Sequence, residues 1–142
     1  LSLGYLRTRQ NQSAEAFDAF DSALRKWQAA GNTRGQALAL KAIGILHNVM
    51  SRKQQSLDSL LAAEKMFPEN VDQTEKASLY NSIGHVYEDY GEWRLSLKYR
   101  EMAYSQFQKA NHLQGQLATL PSLGKLSYLS GDSAAALAYF KQ

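Results

Sequence analysis

A forty-residue period governs this sequence. Leu3-Gly4, Ile43-Gly44, Ile83-Gly84 and Leu123-Gly124 each join a large apolar residue to a glycine, and each pair follows the last by forty positions. The same interval relates Ala16, Ser56, Ser96 and Ala136, all small, and Phe17, Leu57, Leu97 and Leu137, all large. Trp27, Phe67 and Phe107 form an aromatic column, and Leu40, Tyr80 and Leu120 stand three residues before their apolar-glycine pairs. Self-similarity at such a period is the mark of stacked supersecondary units. A small residue recurring in one column lets two helices approach closely, and a large one in the next fills the hole left by the following turn.

Each unit therefore reads as an antiparallel helix pair, the first helix carrying the apolar-glycine pair and the second the small-large pair. The spacing predicts first helices near 1–10, 34–50, 73–90 and 114–129, and second helices near 13–29, 53–67, 93–109 and 133–142. The fold class is all-α: a right-handed superhelical solenoid of helix pairs, its repeats near 1–31, 32–71, 72–111 and 112–142, in a single domain. Asn32-Thr33, Asp72 with Glu75, and Gly131-Asp132 supply start signals, and Gly31, Gly91 and Gly131 supply stops. Pro121 falls inside the first helix of the fourth unit, where it lacks an amide proton and clashes with the carbonyl four residues back. A kink or irregular turn is expected there, unless the helix starts near Thr119 and puts the proline in its first turn.

At 142 residues with no cysteine, the chain can bury a continuous core but cannot build disulfides, thiolate zinc sites or a cysteine nucleophile. Its formal charge of +3 comes from sixteen basic residues interleaved with thirteen acidic ones, a solvated surface rather than a nucleic-acid footprint. No run approaches the roughly 18 apolar residues of a membrane-spanning helix. The absence of an initiator methionine, with helical pattern at both ends, makes an excised piece of a longer protein the expectation.

The columns resemble the tetratricopeptide repeat, whose signature runs W-x2-L-G-x2-Y, then A-x3-F, then proline. Tyr80, Ile83-Gly84 and Tyr87 stand in the first part, and Ala16-x3-Phe20 and Ala136-x3-Phe140 in the second, with Pro68 at the closing proline. The longer period and the linker Gly31-Asn32-Thr33-Arg34-Gly35-Gln36-Ala37 are similar to the forty-residue variety found in Pins-type spindle adaptors, kinesin light chains and bacterial signalling proteins. Departures stand at Arg7, His47 and Ser127 in the tyrosine slot, Ser56 and Ser96 in the alanine slot, and Arg100 in the phenylalanine slot.

The resemblance implies a non-enzymatic scaffold that binds a peptide or protein segment in a concave groove lined by first helices. Polar positions of those helices are the candidate contacts: Lys41, Ile45 and Asn48; Asn81, His85 and Glu88; Lys125 and Tyr128; and Tyr5 and Thr8 in the first unit. Asn81 looks like the asparagine that hydrogen-bonds an extended peptide backbone, since its amide both donates and accepts. Lys41 and Lys125 could hold a carboxylate or a phosphorylated side chain. The structural positions are Gly4, Gly44, Gly84, Gly124, Ala16, Ala136, Trp27, Phe67 and Phe107.

No cofactor, metal, small-molecule substrate, nucleic acid or membrane is expected as a partner. His47, His85 and His112 fall in separate units, without the close spacing of zinc ligands, and no catalytic motif is present. Glu88 and Asp89 adjoin but point about 100° apart on a helix, so they form no acid-base pair. Two alternatives accompany the scaffold: a regulatory array of a larger bacterial signalling protein, and a structural module that self-associates through exposed solenoid ends.

Overall fold

The structure, a computed structural model, describes residues 3–68 and 72–141, and among them leaves out the side chains of residues 3–8 and Ser133. The readings that fall on the side chains of Leu3, Gly4, Tyr5, Arg7 and Thr8 lie outside the described residues. Among the described residues the chain is all-α, with helices α1 (Leu3–Ala29), α2 (Thr33–Val49), α3 (Lys53–Met66), α4 (Gln73–Asp89), α5 (Trp93–Lys109), α6 (Leu113–Leu129) and α7 (Ser133–Phe140). They form two compact units, Leu1–Pro68 and Glu69–Gln142.

Within each unit the turns repeat at half the sequence period. A left-handed residue stands at Gly31, Ser51, Gly91, Asn111 and Gly131, with φ of 67°, 58°, 74°, 52° and 94°. At each, the amide of the next residue reaches back five positions: Asn32 to Trp27 O, Arg52 to His47 O, Glu92 to Tyr87 O, His112 to Phe107 O and Asp132 to Ser127 O, all at 2.8–2.9 Å. This bond closes the last helical turn and satisfies a terminal carbonyl. Helices α2, α4, α6 and α7 start on side-chain caps at Asn32, Asp72, His112 and Asp132, whose acceptors take the amides of Gly35, Thr74, Gly115 and Ala135.

In the first unit α2 packs between α1 and α3. A Cβ on Gly44 would lie 2.7 Å from Leu60 Cγ, and Ser56 Oγ donates to the Gly44 carbonyl at 2.7 Å. The core here is Ala37, Ala39, Leu57, Leu60 and Ala63. In the second unit α4 packs on α5, α5 on α6 and α6 on α7. The same clasp recurs, Ser96 Oγ donating to Gly84 O at 2.7 Å, while Gly124 makes room for the Phe140 ring. Tyr99 stacks on Tyr87 with centroids 5.8 Å apart and stands 6.3 Å from Tyr80, joining α5 to α4. Tyr139 Oη donates to Glu101 Oε1 at 3.0 Å, and burial together with that carboxylate pushes its hydroxyl up to about 12.

Three expectations need correction. The first unit is not a helix pair: α1 runs unbroken through residues 11–12, because Leu3 to Ala29 contains no proline and no glycine after Gly4, so nothing there opposes helix propagation. Trp27, read as a packing position, is 41% exposed although its ring covers Gly35. No irregular turn interrupts the chain at Pro121, since α6 continues through it. Pro121 and Leu117 are both exposed, so water can reach the Leu117 carbonyl that loses its amide.

Candidate functional site

The candidate contacts converge best in the second unit, around a residue the sequence reading left out. Arg100 occupies a core-facing column of α5, where the corresponding residue of α3 is the fully buried Leu60. A guanidinium in that column needs partners, because burying an unpaired charge costs several kcal/mol. α4 provides them. Arg100 Nη1 donates to Asn81 Oδ1 at 3.1 Å, and Nη2 donates to Glu88 Oε2 at 2.9 Å. Asn81 and Glu88 are seven residues apart and so share one face of α4. The Arg100 stem and Nε lie over Gly84, 3.0–3.1 Å from where a Cβ would stand.

Glu88 carries the network on to α6. Its Oε1 accepts from Lys125 Nζ at 3.0 Å, so one carboxylate bridges two cations. The Arg100 and Glu88 side chains are 11% and 15% exposed, whereas that of Lys125 is 60% exposed. The inner pair is thus shielded from salt and fixed, and the outer lysine keeps donors facing water. Two cations against one anion leave a local positive excess.

Asn81 differs from the sequence expectation in one respect. Its oxygen accepts from Arg100, so Oδ1 is already engaged and Nδ2 is the end of the amide that can donate. His85, one turn from Asn81, is exposed and lies 3.4 Å from Asp89 Oδ2. Tyr128 is 66% exposed on α6, one turn from Lys125. Asn81, Glu88 and Lys125 are therefore brought together, with His85 and Tyr128 on the same helices as neighbours.

In the first unit Lys41 and Asn48 are half-buried and Ile45 is 41% exposed, all on α2. Beside them His47 stands 4.7 Å from the Phe17 ring, over which the Arg52 guanidinium lies at 5.8 Å. Burial first, and the Arg52 charge second, lower the His47 pKa from its ordinary 6.5. Among the described residues no group of three or more histidines and carboxylates is placed to hold a metal, and no helix is long and apolar enough to cross a membrane.

No family model matches the chain, and no curated protein resembles it in sequence. Its fold has a close counterpart in the crystal structure of BtubC (BKLC) from P. vanneervenii, with a TM-score of 0.81 at 18% identity. The match covers 98% of this chain and 58% of that one, so the chain spans a little over half the length of its structural counterpart. At this identity the likeness speaks for the all-α helical-repeat fold.

Proposed function

We propose that this chain is a tetratricopeptide-type module, without catalytic activity of its own, that binds an extended peptide segment across α4 and α6. The observation that carries the reading is the Asn81–Arg100–Glu88–Lys125 network. It holds an amide donor and an ammonium at fixed positions on adjacent helices, at the cost of placing an arginine in a core column. Asn81 Nδ2 would donate to a backbone carbonyl of the peptide, and Lys125 would receive an acidic side chain or a terminal carboxylate. Tyr128 adds exposed aromatic area at the same edge. The forty-residue columns and the fold shared with BtubC support the family assignment.

Selection of peptides from a displayed random library, followed by anisotropy titration, tests this. Selected peptides should carry an acidic residue, and Asn81→Ala and Lys125→Ala should each weaken binding about fivefold or more, the equivalent of roughly 1 kcal/mol. Selected peptides that bind both variants as tightly as the native chain would remove the α4–α6 face as the site.

A further inference from the structure

α6 departs from α2 and α4 along one exposed face. In columns forty residues apart, Thr33 and Gln73 give way to Leu113, Ala37 and Ala77 to Leu117, and Lys41 and Asn81 to Pro121. The two alanines are fully buried, whereas Leu113 and Leu117 are 66% and 58% exposed and Pro121 is exposed with them. At 100° per residue, Leu113, Leu117, Pro121, Lys125 and Tyr128 fall within an arc of about 120°, so the apolar turns run directly into the lysine and tyrosine of the candidate site. The helix does not need this face for its own packing, because its buried side is formed by Thr119, Leu123, Leu126 and Ser127. An apolar stripe of this kind, rimmed by polar groups, is what a contact surface presents.

The third substitution also alters the backbone. Pro121 has no N–H, so the Leu117 carbonyl lacks its partner one turn on and, between two exposed residues, is open to an outside donor. Charge narrows the occupant further. Lys125 is the only charged residue between Leu113 and Leu129, and Lys125 with Arg100 outweighs the single Glu88 carboxylate they share. Along its axis α6 therefore offers apolar area, then a backbone acceptor, then a cation, which complements a segment carrying an apolar side chain, a free N–H and an acid in the same order.

We infer that the peptide bound here carries an aliphatic residue four positions from the acidic group that meets Lys125, with a second aliphatic residue favoured at six, and that a backbone N–H between acid and aliphatic donates to the Leu117 carbonyl. The inference rests on peptide binding at α4 and α6 and specifies which peptides bind. Leu117 and Leu113 precede Lys125 by eight and twelve residues, about 12 and 18 Å along the helix. An extended chain advances about 3.3 Å per residue and returns to the same face every second residue, so separations of four and six fit both spans. A helical ligand would need about eight and twelve residues, and its own N–H groups would already be bonded internally.

Peptides selected on the native chain from the displayed library, labelled with fluorescein and titrated by anisotropy, provide the probe. Aliphatic residues should be enriched four and six positions from the acid. At unchanged helicity, Leu117→Ser should weaken binding about tenfold through lost apolar contact. Pro121→Ala, which supplies the Leu117 carbonyl with an internal donor and favours the helix, should weaken it about threefold. Unchanged affinity in either variant, while Asn81→Ala and Lys125→Ala still weaken binding, overturns the inference and leaves the peptide reading standing. So does enrichment at seven or eight positions, which means a helical ligand, or self-association of the native chain in sedimentation that Leu117→Ser abolishes, which makes the stripe a contact between copies. Peptides indifferent to Asn81→Ala and Lys125→Ala remove the reading and the inference together.

Discussion

Leu60 and Arg100 occupy the same column, forty residues apart, and each leans over the glycine of the helix before it, Gly44 for one and Gly84 for the other. Around them the hairpins α2–α3 and α4–α5 are closed by the same serine-to-carbonyl bond, at 2.7 Å in both. Inside, they are opposites. The first unit has an aliphatic column residue, and its α2 carries Lys41 and Asn48; the second has a cation held by Asn81 and Glu88 of α4, at the positions forty residues on. The approach of the two helices is set by glycine and serine, so the residue between them is free to be apolar or charged, provided the facing helix changes with it.

Transplanting one interior into the other is the most forceful way to break this comparison. Leu60→Arg places a guanidinium where α2 offers no carboxylate, and should cost about 4 kcal/mol or more, read as loss of cooperative thermal unfolding of the first unit. Arg100→Leu is milder, because Lys125 still neutralises Glu88; a loss of about 2 kcal/mol is expected by chemical denaturation. Adding Glu88→Asn, which gives α4 the asparagine that α2 carries forty residues earlier, should recover at least half of it. Full additivity of the two substitutions would show that they do not form one network.

The glycines sharpen the comparison at smaller scale. A Cβ at Gly44 meets Leu60 Cγ at 2.7 Å and the Ser56 carbonyl at 3.1 Å, neither easily moved, so Gly44→Ala should cost about 1–3 kcal/mol despite better helix propensity. At Gly84 the neighbours are the flexible stem of Arg100, and Gly84→Ala should stay within about 1 kcal/mol of the native chain. The smallest expected effect belongs to His47. Its folded pKa lies below its unfolded 6.5, so the unfolded chain binds the proton more readily, and stability is lost as pH falls below 6.5. His47→Gln should flatten that slope in denaturant midpoints measured between pH 7.5 and 5.

The sequence made the period, the packing columns and six of the seven helices among the described residues legible, because glycine, small residue and turn recur in phase and each has a local physical meaning. The reversal expected near residue 11 was not realised, since the polar residues there favour helix as readily as turn, and no left-handed residue forces the choice. Arg100 was visible as a departure in an apolar column, but its partners were not: Asn81 and Glu88 looked like surface contacts, and only the packing of α5 on α4 makes them ligands of a buried cation. A charge in a core column with a carboxylate twelve residues before it, one helix back in the hairpin, is the signal that would have found the network.

Left-handed residues stand at 31 and 51 in the first unit and at 91, 111 and 131 in the second, twenty residues apart within each, while helices bearing the column glycine recur only every forty. Removing twenty residues between two turns would keep every reversal in phase yet seat each later helix in the place of its opposite, glycine facing glycine. Removing forty would preserve both rhythms. Changes of length in this chain are therefore quantised in whole helix pairs, and a family of longer or shorter versions should differ by forties and not by twenties.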